Sequence, residues 1–336
     1  MAVSEPAIAI TGATGFIGRA LCARAASGAQ VAVEARAASS GGGAVDSPLR
    51  VLVRDRRRAA VMLPAGVEIV EADLESADVA DLARALTGVA AVVHLAGRAH
   101  VIDEFAADPD AAYRRANVDA TAKLAEAAVA AGVGRFVFAS TIKVNGESTF
   151  TGRPFRADDA PRPTDAYARS KHAAEDALGR IAEGTPMLAL ILRLPLVYGP
   201  HAVGNFRRLV DAVAARRWLP FGAIDNRRSL LGLPNLLDAI DAALAAPRAV
   251  GGIHLLADAD SVSTPDLVRA IAHALGVESR LRAVPVPLLR IGGALTGRAA
   301  LVERLTGSLE IDSTSFARAT AWRPRPFAID AAMLVA

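Results

Sequence analysis

Tyrosine and lysine are both scarce in this chain, and one of each stands four residues apart in Tyr167-Ala-Arg-Ser-Lys171. The 336 residues include only three tyrosines (113, 167 and 198) and three lysines (123, 143 and 171); arginine supplies nearly all the other positive charge. On a helix, positions i and i+4 share a face, so this phenol and ammonium point into one space. The ammonium is expected to lower the phenol pKa from about 10 towards working pH. A phenol so tuned can take a proton from a substrate hydroxyl and return it. Arginine, a planar fork with different hydration, does not substitute for lysine here. A hydroxyl that binds the same substrate oxygen completes such a set, and Ser140 and Thr141, after the apolar run Arg135–Ala139, are the candidates.

A second constellation lies near the N-terminus. Thr11-Gly-Ala-Thr-Gly-Phe-Ile-Gly18 follows an apolar strand, Ala7–Thr11, and opens a helical pattern, Phe16–Ser27. Gly12 suits a tight turn, Gly15 the close approach of a pyrophosphate, and Gly18 the packing of helix on strand. Phe16 and Ile17 begin a helix whose free N–H groups and dipole favour an anion. This is the pattern of a dinucleotide site.

The elements needed to hold both constellations alternate along the first 200 residues. Strand patterns at Val67–Glu71, Ala91–Leu95, Arg135–Ala139 and Met187–Arg193 are interleaved with helical patterns at Val79–Leu86, Pro109–Ala131 and Thr164–Ala182. Strands apolar on both faces, in βαβ alternation, predict an α/β doubly wound (Rossmann) parallel sheet. After Gly199-Pro200 helical patterns dominate. The expected division is a cofactor-binding domain over 1–200 and a smaller, mainly helical substrate-capping domain over 201–336. Segment 229–257, with the strand Gly252–Leu256, is expected to return to the large sheet. Short strands are expected near Leu281–Val286 and Glu310–Asp312. Ala35–Pro48, with Ser39-Ser-Gly-Gly-Gly43, reads as an inserted loop.

Composition excludes several classes. With 52% hydrophobic and 22% charged residues the chain is of ordinary soluble type. Thirty-eight basic residues against 35 acidic give a net charge of +3, and no broad basic stripe with interleaved aromatics is present, so no nucleic-acid partner is expected. Cys22 is the only cysteine, which precludes an intramolecular disulfide and fits a reducing compartment. No uncharged apolar run reaches the ~20 residues that a membrane span needs, and the N-terminus lacks signal-peptide features. The expectation is a cytoplasmic protein with no membrane partner and no metal site.

The GxxGxxG spacing, Tyr-x-x-x-Lys and their places in the chain resemble the extended short-chain dehydrogenase/reductases of the NAD-dependent epimerase/dehydratase family. The resemblance runs over nearly the whole chain. It implies that Asp73-Leu74 contacts adenine and that the turn Leu95-Ala96-Gly97 lies over the cofactor. Asn117 matches a polar helix position of the family. Aligning Val144-Asn145-Gly146 with the family's Val-Tyr-Gly puts Thr141 at the catalytic Ser/Thr position, with Ser140 second choice. Lys171 would also hold the cofactor ribose. Arg193–Pro200 resembles the strand end beside the nicotinamide. Asn205 and Arg228 match positions that contact a nucleotide diphosphate, a task that suits a guanidinium fork. Dehydratases of the family carry an Asp-Glu pair where this chain has Ile142 and Lys143, so elimination chemistry is not expected; Lys143 is expected beside the sugar.

Two questions stay open at this level. A second strand at Ala29–Ala35 would present Glu34 to the ribose hydroxyls of NAD; the family alignment prefers Leu49–Asp55, where Arg54 could hold a 2′-phosphate and Asp55 could favour NAD. NAD is the expected cofactor and NADP remains an alternative. The string Ser140-Thr-Ile-Lys-Val-Asn-Gly-Glu147 resembles a UDP-glucose 4-epimerase-like subgroup. This implies a UDP-sugar 4-epimerase, with a 4-keto-sugar reductase as the alternative and a non-catalytic cofactor sensor as a third reading; a homodimer is the assembly to test.

Overall fold

The computed structural model describes residues 7–27, 49–99 and 108–335. The main elements are β1 (Ala7–Thr11), α1 (Phe16–Ala26), β2 (Leu49–Val53), α2 (Arg56–Met62), β3 (Glu68–Glu71), α3 (Val79–Ala85), β4 (Val89–His94), α4 (Pro109–Tyr113), α5 (Ala120–Ala130), β5 (Arg135–Thr141), α6 (Ala166–Ala182) and β6 (Leu188–Leu194). Next come β7 (Val197–Tyr198), α7 (Asn205–Ala214), β8 (Arg228–Ser229), β9 (Leu231–Gly232), α8 (Leu233–Leu244), β10 (Gly252–Leu255), β11 (Ser261–Val262), α9 (Thr264–Ala274), α10 (Val286–Leu295), α11 (Ala299–Thr306) and α12 (Thr314–Thr320).

Among the described residues, seven strands form one sheet in the order β3-β2-β1-β4-β5-β6-β10, and every pairing in it is parallel. Alternate side chains of β1 enter opposite cores. Ile8 and Ile10 pack with Leu236 and Ile240 of α8 and with Leu21 of α1, while Ala7 and Ala9 pack with Leu82 of α3, Leu124 of α5 and Leu178 of α6. The strands are apolar on both faces because helices cover both faces. The order reverses between β1 and β4, the switch point at which such sheets bind ligands.

β2 pairs with β1 from Ile8 opposite Leu49 to Thr11 opposite Leu52, so the strand beside β1 is the one expected at 49–55. The rival strand Ala29–Ala35, Glu34 and the inserted loop lie outside the described residues. Three sequence expectations change. The single helix expected over 109–131 is broken by a π-helical turn, Arg114–Asp119. The strand expected at Leu281–Val286 shrinks to one bridge, Leu281 to Leu219, and Val286 instead starts α10. Around Glu310–Asp312 there are likewise isolated bridges, Leu309 to Arg228 and Ile311 to Phe155. No helix among the described residues is long and apolar enough to cross a membrane.

Two arginines tie layers together. Arg135 donates to the Ala243 and Ala246 carbonyls at 2.7 and 2.6 Å, meeting the carbonyl end of α8 with a cation. Arg193 of β6, 1% exposed, grips Glu175 of α6, 3% exposed: Nη2 reaches Oε2 at 2.6 Å and Nε reaches both carboxylate oxygens at 3.1 and 3.2 Å. The Ser140 hydroxyl donates to the same carboxylate. Arg193 Nη1 donates to Asn145 Oδ1 at 2.9 Å, and Asn145 Nδ2 donates to the Arg156 carbonyl at 3.0 Å. Removing one partner of a buried pair leaves an uncompensated charge, at a cost of about 3 kcal/mol or more. Glu175→Leu and Arg193→Met are therefore each expected to lower chemical-denaturation stability by about that amount, and the double variant to recover at least half of the summed loss. Strictly additive losses would mean that the pair does not act as a unit.

Candidate active site

Three segments converge at the carboxyl ends of β1, β4 and β5. Gly12 leaves β1 with a φ of +70°. A Cβ there would stand 2.6 Å from the Ala96 nitrogen and 2.7 Å from the Leu95 carbonyl carbon, so the turn Leu95–Gly97 presses on the glycine loop. Leu95 N–H donates to the Thr11 carbonyl at 3.2 Å and Ala96 N–H to Thr11 Oγ1 at 3.3 Å. A Cβ on Gly18 would overlap the Gly12 carbonyl oxygen. No side chain caps α1 at Gly15, which leaves the first-turn N–H groups at Phe16 and Ile17 for an anion. His94, buried at the end of β4, bridges Thr11 Oγ1 at 2.6 Å and Thr121 Oγ1 at 2.9 Å. Burial, and then the nearby Lys171 charge, push its pKa down to about 3, so it is a neutral strut.

Asn117 sits in the π-helical turn, a form often found at functional sites. Its Oδ1 accepts from Arg98 N–H at 2.7 Å, and its Nδ2 donates to the Arg98 carbonyl at 3.1 Å and to Ser170 Oγ at 2.9 Å. It thus clamps the chain after Gly97 onto α6.

At the end of β5, neighbouring side chains point to opposite faces. Ser140 turns to Glu175 beneath α6, and the Thr141 side chain lies near enough to the Tyr167 hydroxyl to favour its ionisation. Asp165 caps α6 by accepting from Ala168 N–H at 2.7 Å. This cap starts the helix at Ala166 rather than at Thr164 and puts Tyr167 in its first turn. Lys171 follows one turn later, 4% exposed, with Nζ 3.8 Å from the centroid of the Phe138 ring. A threonine hydroxyl, a phenol and an ammonium therefore sit beside a loop built for a dinucleotide, and the family model described as NAD dependent epimerase/dehydratase family matches residues 8–256.

The chain belongs to this family. Within the NAD dependent epimerase/dehydratase family it is similar to a UDP-glucose 4-epimerase of Vibrio cholerae, 40% identical over 240 residues, covering 71% of this chain and 73% of that one. It is also similar to a ceramide reductase of Caulobacter vibrioides, 31% identical over 296 residues, covering 86% and 76%. The fold matches the crystal structure of UDP-N-acetylglucosamine 4-epimerase from Bacillus cereus with a TM-score of 0.70, at 19% identity, over 98% of this chain and 94% of that one. The protein is accordingly an NAD-dependent enzyme of this family. The loop fits its cofactor: a Cβ at Gly12 or Gly18 would collide with the backbone of Leu95–Ala96 or Gly12–Ala13, so glycine permits the tight turn that leaves the first N–H groups of α1 free for a pyrophosphate. In α1 beside it, the Arg19 Nε is buried with no hydrogen-bond partner among the described residues; the sequence reading passed this residue over.

The residues expected at the outer end of the cofactor are less uniform. Arg54 is exposed just after β2, whereas Asp55 caps α2 by accepting from Arg58 N–H at 2.9 Å. Asp73 accepts from Glu75 N–H at 3.1 Å and Ser76 Oγ at 3.2 Å, beside a cavity of about 440 Å³ between β3 and α3. The Leu74 side chain is in the core, which leaves only its backbone for a ligand.

Of the residues expected to meet the substrate, Lys143 is ion-paired twice, to Asp165 at 2.5 Å and Glu147 at 3.0 Å. Glu147 also acts on the charge of Arg228, whose Nη1 donates to the Arg304 and Gly307 carbonyls at 2.8 and 2.9 Å. One line of charge thus runs from Tyr167 through Asp165, Lys143 and Glu147 to Arg228. Asn205 is exposed at the start of α7, and no contact among the described residues ties it to this line. Sequence reasoning missed Asp165, Glu147 and Glu175; the last was findable, since it repeats the four-residue step from Tyr167 and Lys171.

The electrostatics correct one expectation. Burial pushes the Tyr167 hydroxyl up to about 12; Thr141 draws it down, while Asp165 and Tyr113 push it further up. Lys171 is not among the groups that lower it. Burial pushes Lys171 itself down to about 7, with Glu175 opposing. In this dry cleft the loss of hydration outweighs the i,i+4 attraction. Below the raised value the phenol keeps its proton, so a tyrosinate absorbance titration of the ligand-free enzyme should show no ionisation assignable to Tyr167 below pH 10. A tyrosinate signal near neutral pH that vanishes in Tyr167→Phe would contradict this.

Proposed function

We propose that the enzyme is a sugar-nucleotide 4-epimerase acting on a UDP-hexose or UDP-N-acetylhexosamine. The neighbouring Thr141 and Tyr167, one helical turn from Lys171 and beside the glycine loop, carry this reading. NAD, held at Gly12, Gly15, Gly18, the Leu95–Gly97 turn and Lys171, supplies reversible hydride acceptance when bound. Tyr167 would take the proton of the sugar 4-hydroxyl as C4 gives up its hydride, and return it to the same oxygen once hydride has come back to the opposite face of C4. Thr141 donates to that oxygen as charge develops on it. Arg228 is the cation for the diphosphate, and Asn205 a polar contact near it. Arg54 and Asp73 would hold the adenosine end, Arg54 leaving NADP as the alternative. Turnover of the keto sugar inside the cleft is what separates this reading from a 4-keto-sugar reductase, which uses the same three residues; the reductase among the relatives keeps that second reading in view.

Lys143 narrows the substrate. An ammonium has three donors, and Asp165 and Glu147 take two of them. The third suits a neutral oxygen such as a sugar hydroxyl or an acetyl carbonyl. The group carries one cation and two anions, so a sugar carboxylate would meet net negative charge. The test is a panel of UDP-sugars incubated without added cofactor. Expected are C4 interconversion of a neutral pair with no net nicotinamide reduction, roughly 10-fold or lower kcat/KM on a UDP-hexuronate, and at least ~10²-fold lower kcat for folded Tyr167→Phe. Stoichiometric NAD(P)H consumption on a 4-keto sugar, with no epimerisation of any UDP-hexose, would replace the epimerase by the reductase.

A further inference from the structure

Among the described residues, α10 and α11 pair into a hairpin that is little covered by the rest of the chain. α10 buries only Gly293, and α11 buries none of its residues. The two helices hold each other: a Cβ on Gly293 would meet Val302 Cγ2 at 2.6 Å, and Arg290 pairs with Glu303 at 2.9 Å. Their outer side is apolar. Leu288, Ile291 and Leu295, spaced i, i+3 and i+7 on one helical face, are 58%, 57% and 83% exposed, and Leu301 adds to them from α11.

The segment that leads into α10 is cationic and aromatic. Four residues before α10, Arg282 lies over the Trp218 ring at 4.0 Å from its centroid, and Arg280 lies at 5.3 Å. Trp218 is nonetheless 57% exposed. Leu219 and Leu281 are bridged, which fixes Trp218 against this segment. From Glu278 to Gly307 the chain carries five arginines against two glutamates.

We propose that this hairpin and Trp218 form a docking surface for a bilayer rich in anionic phospholipid. Aliphatic side chains on one helical face, an exposed tryptophan and arginines at the edge are the complement of a lipid–water boundary with negative headgroups. The base of the hairpin joins the cleft: Asn226 Nδ2 donates to the Leu305 and Gly307 carbonyls, both at 3.0 Å, beside the Arg228 bonds. A docked hairpin therefore brings the substrate side of the cleft to the membrane surface. The docking does not depend on the epimerase reading and is measured without turnover.

The second tryptophan, Trp322, is 3% exposed, so a change in emission on docking reports Trp218. The full chain is mixed with phosphatidylglycerol–phosphatidylcholine vesicles at low salt. Expected are co-sedimentation and a blue-shifted emission that is absent in Trp218→Phe. Affinity should fall at least ~10-fold on pure phosphatidylcholine and in about 1 M salt, where the Debye length is about 3 Å. The triple variant L288S/I291S/L295S, which alters only exposed side chains, should bind at least ~10-fold more weakly with an unchanged unfolding midpoint. Three results would overturn the proposal: no sedimentation with anionic vesicles, equal sedimentation of the triple variant, or a concentration-dependent dimer that the triple variant abolishes.

Discussion

Placing a carboxylate and a guanidinium together in the core strips both of water, and the surroundings of Glu175 and Arg193 offset that cost with hydrogen bonds on every side. The carboxylate takes the Arg193 fork and the Ser140 hydroxyl; the guanidinium also reaches Asn145. These partners come from α6, β5, β6 and the turn after β5. Because Tyr167, Lys171 and Glu175 recur at four-residue steps, fixing Glu175 fixes the rotation of α6 about its axis. The pair also consumes Ser140, so that Thr141 alone of the two hydroxyls meets Tyr167. Replacement of the family's tyrosine by Asn145 acquires a physical meaning here, since a carboxamide at 145 satisfies a guanidinium donor.

With α6 fixed, the electrostatics of the cleft follow from dryness. Lys171 and Tyr167 are both pushed towards their neutral forms, to about 7 and about 12. The ligand-free arrangement therefore stores no phenolate at neutral pH. The positive nicotinamide ring of bound NAD would favour ionisation of the phenol and so free its oxygen to take the sugar hydroxyl proton. His94, neutral between two threonines, adds no charge of its own. Lys143 offsets part of the field of Asp165, which would otherwise hold the Tyr167 proton still more tightly.

Much of this was legible in the chain. The strand–loop–helix at 7–26 and the Tyr–Lys pair were readable because their constraints are local: a glycine where a Cβ cannot fit, a four-residue step on a helix. The second strand at 49–53 needed the family alignment, since a local count from the glycine loop pointed to 29–35. The buried pair was not legible, because Glu175 and Arg193 meet only through the fold. The same holds for the fates of Lys143 and Arg228, which sequence could offer as substrate contacts but could not show bonded to Asp165, Glu147 and two carbonyls. The tyrosine pKa was misjudged because burial is a property of the fold. The α10–α11 face escaped notice because a search for a membrane-spanning run does not see an amphipathic hairpin.

The central claim is that C4 is transiently oxidised inside the cleft and that its own hydrogen is returned. A UDP-sugar deuterated at C4, incubated with the purified enzyme in ordinary water, tests it most directly. The account predicts that the C4 epimer forms with deuterium retained at C4 and no solvent hydrogen incorporated at carbon. Epimer that has lost the label, or that gains solvent hydrogen at C4 or C5, would contradict it.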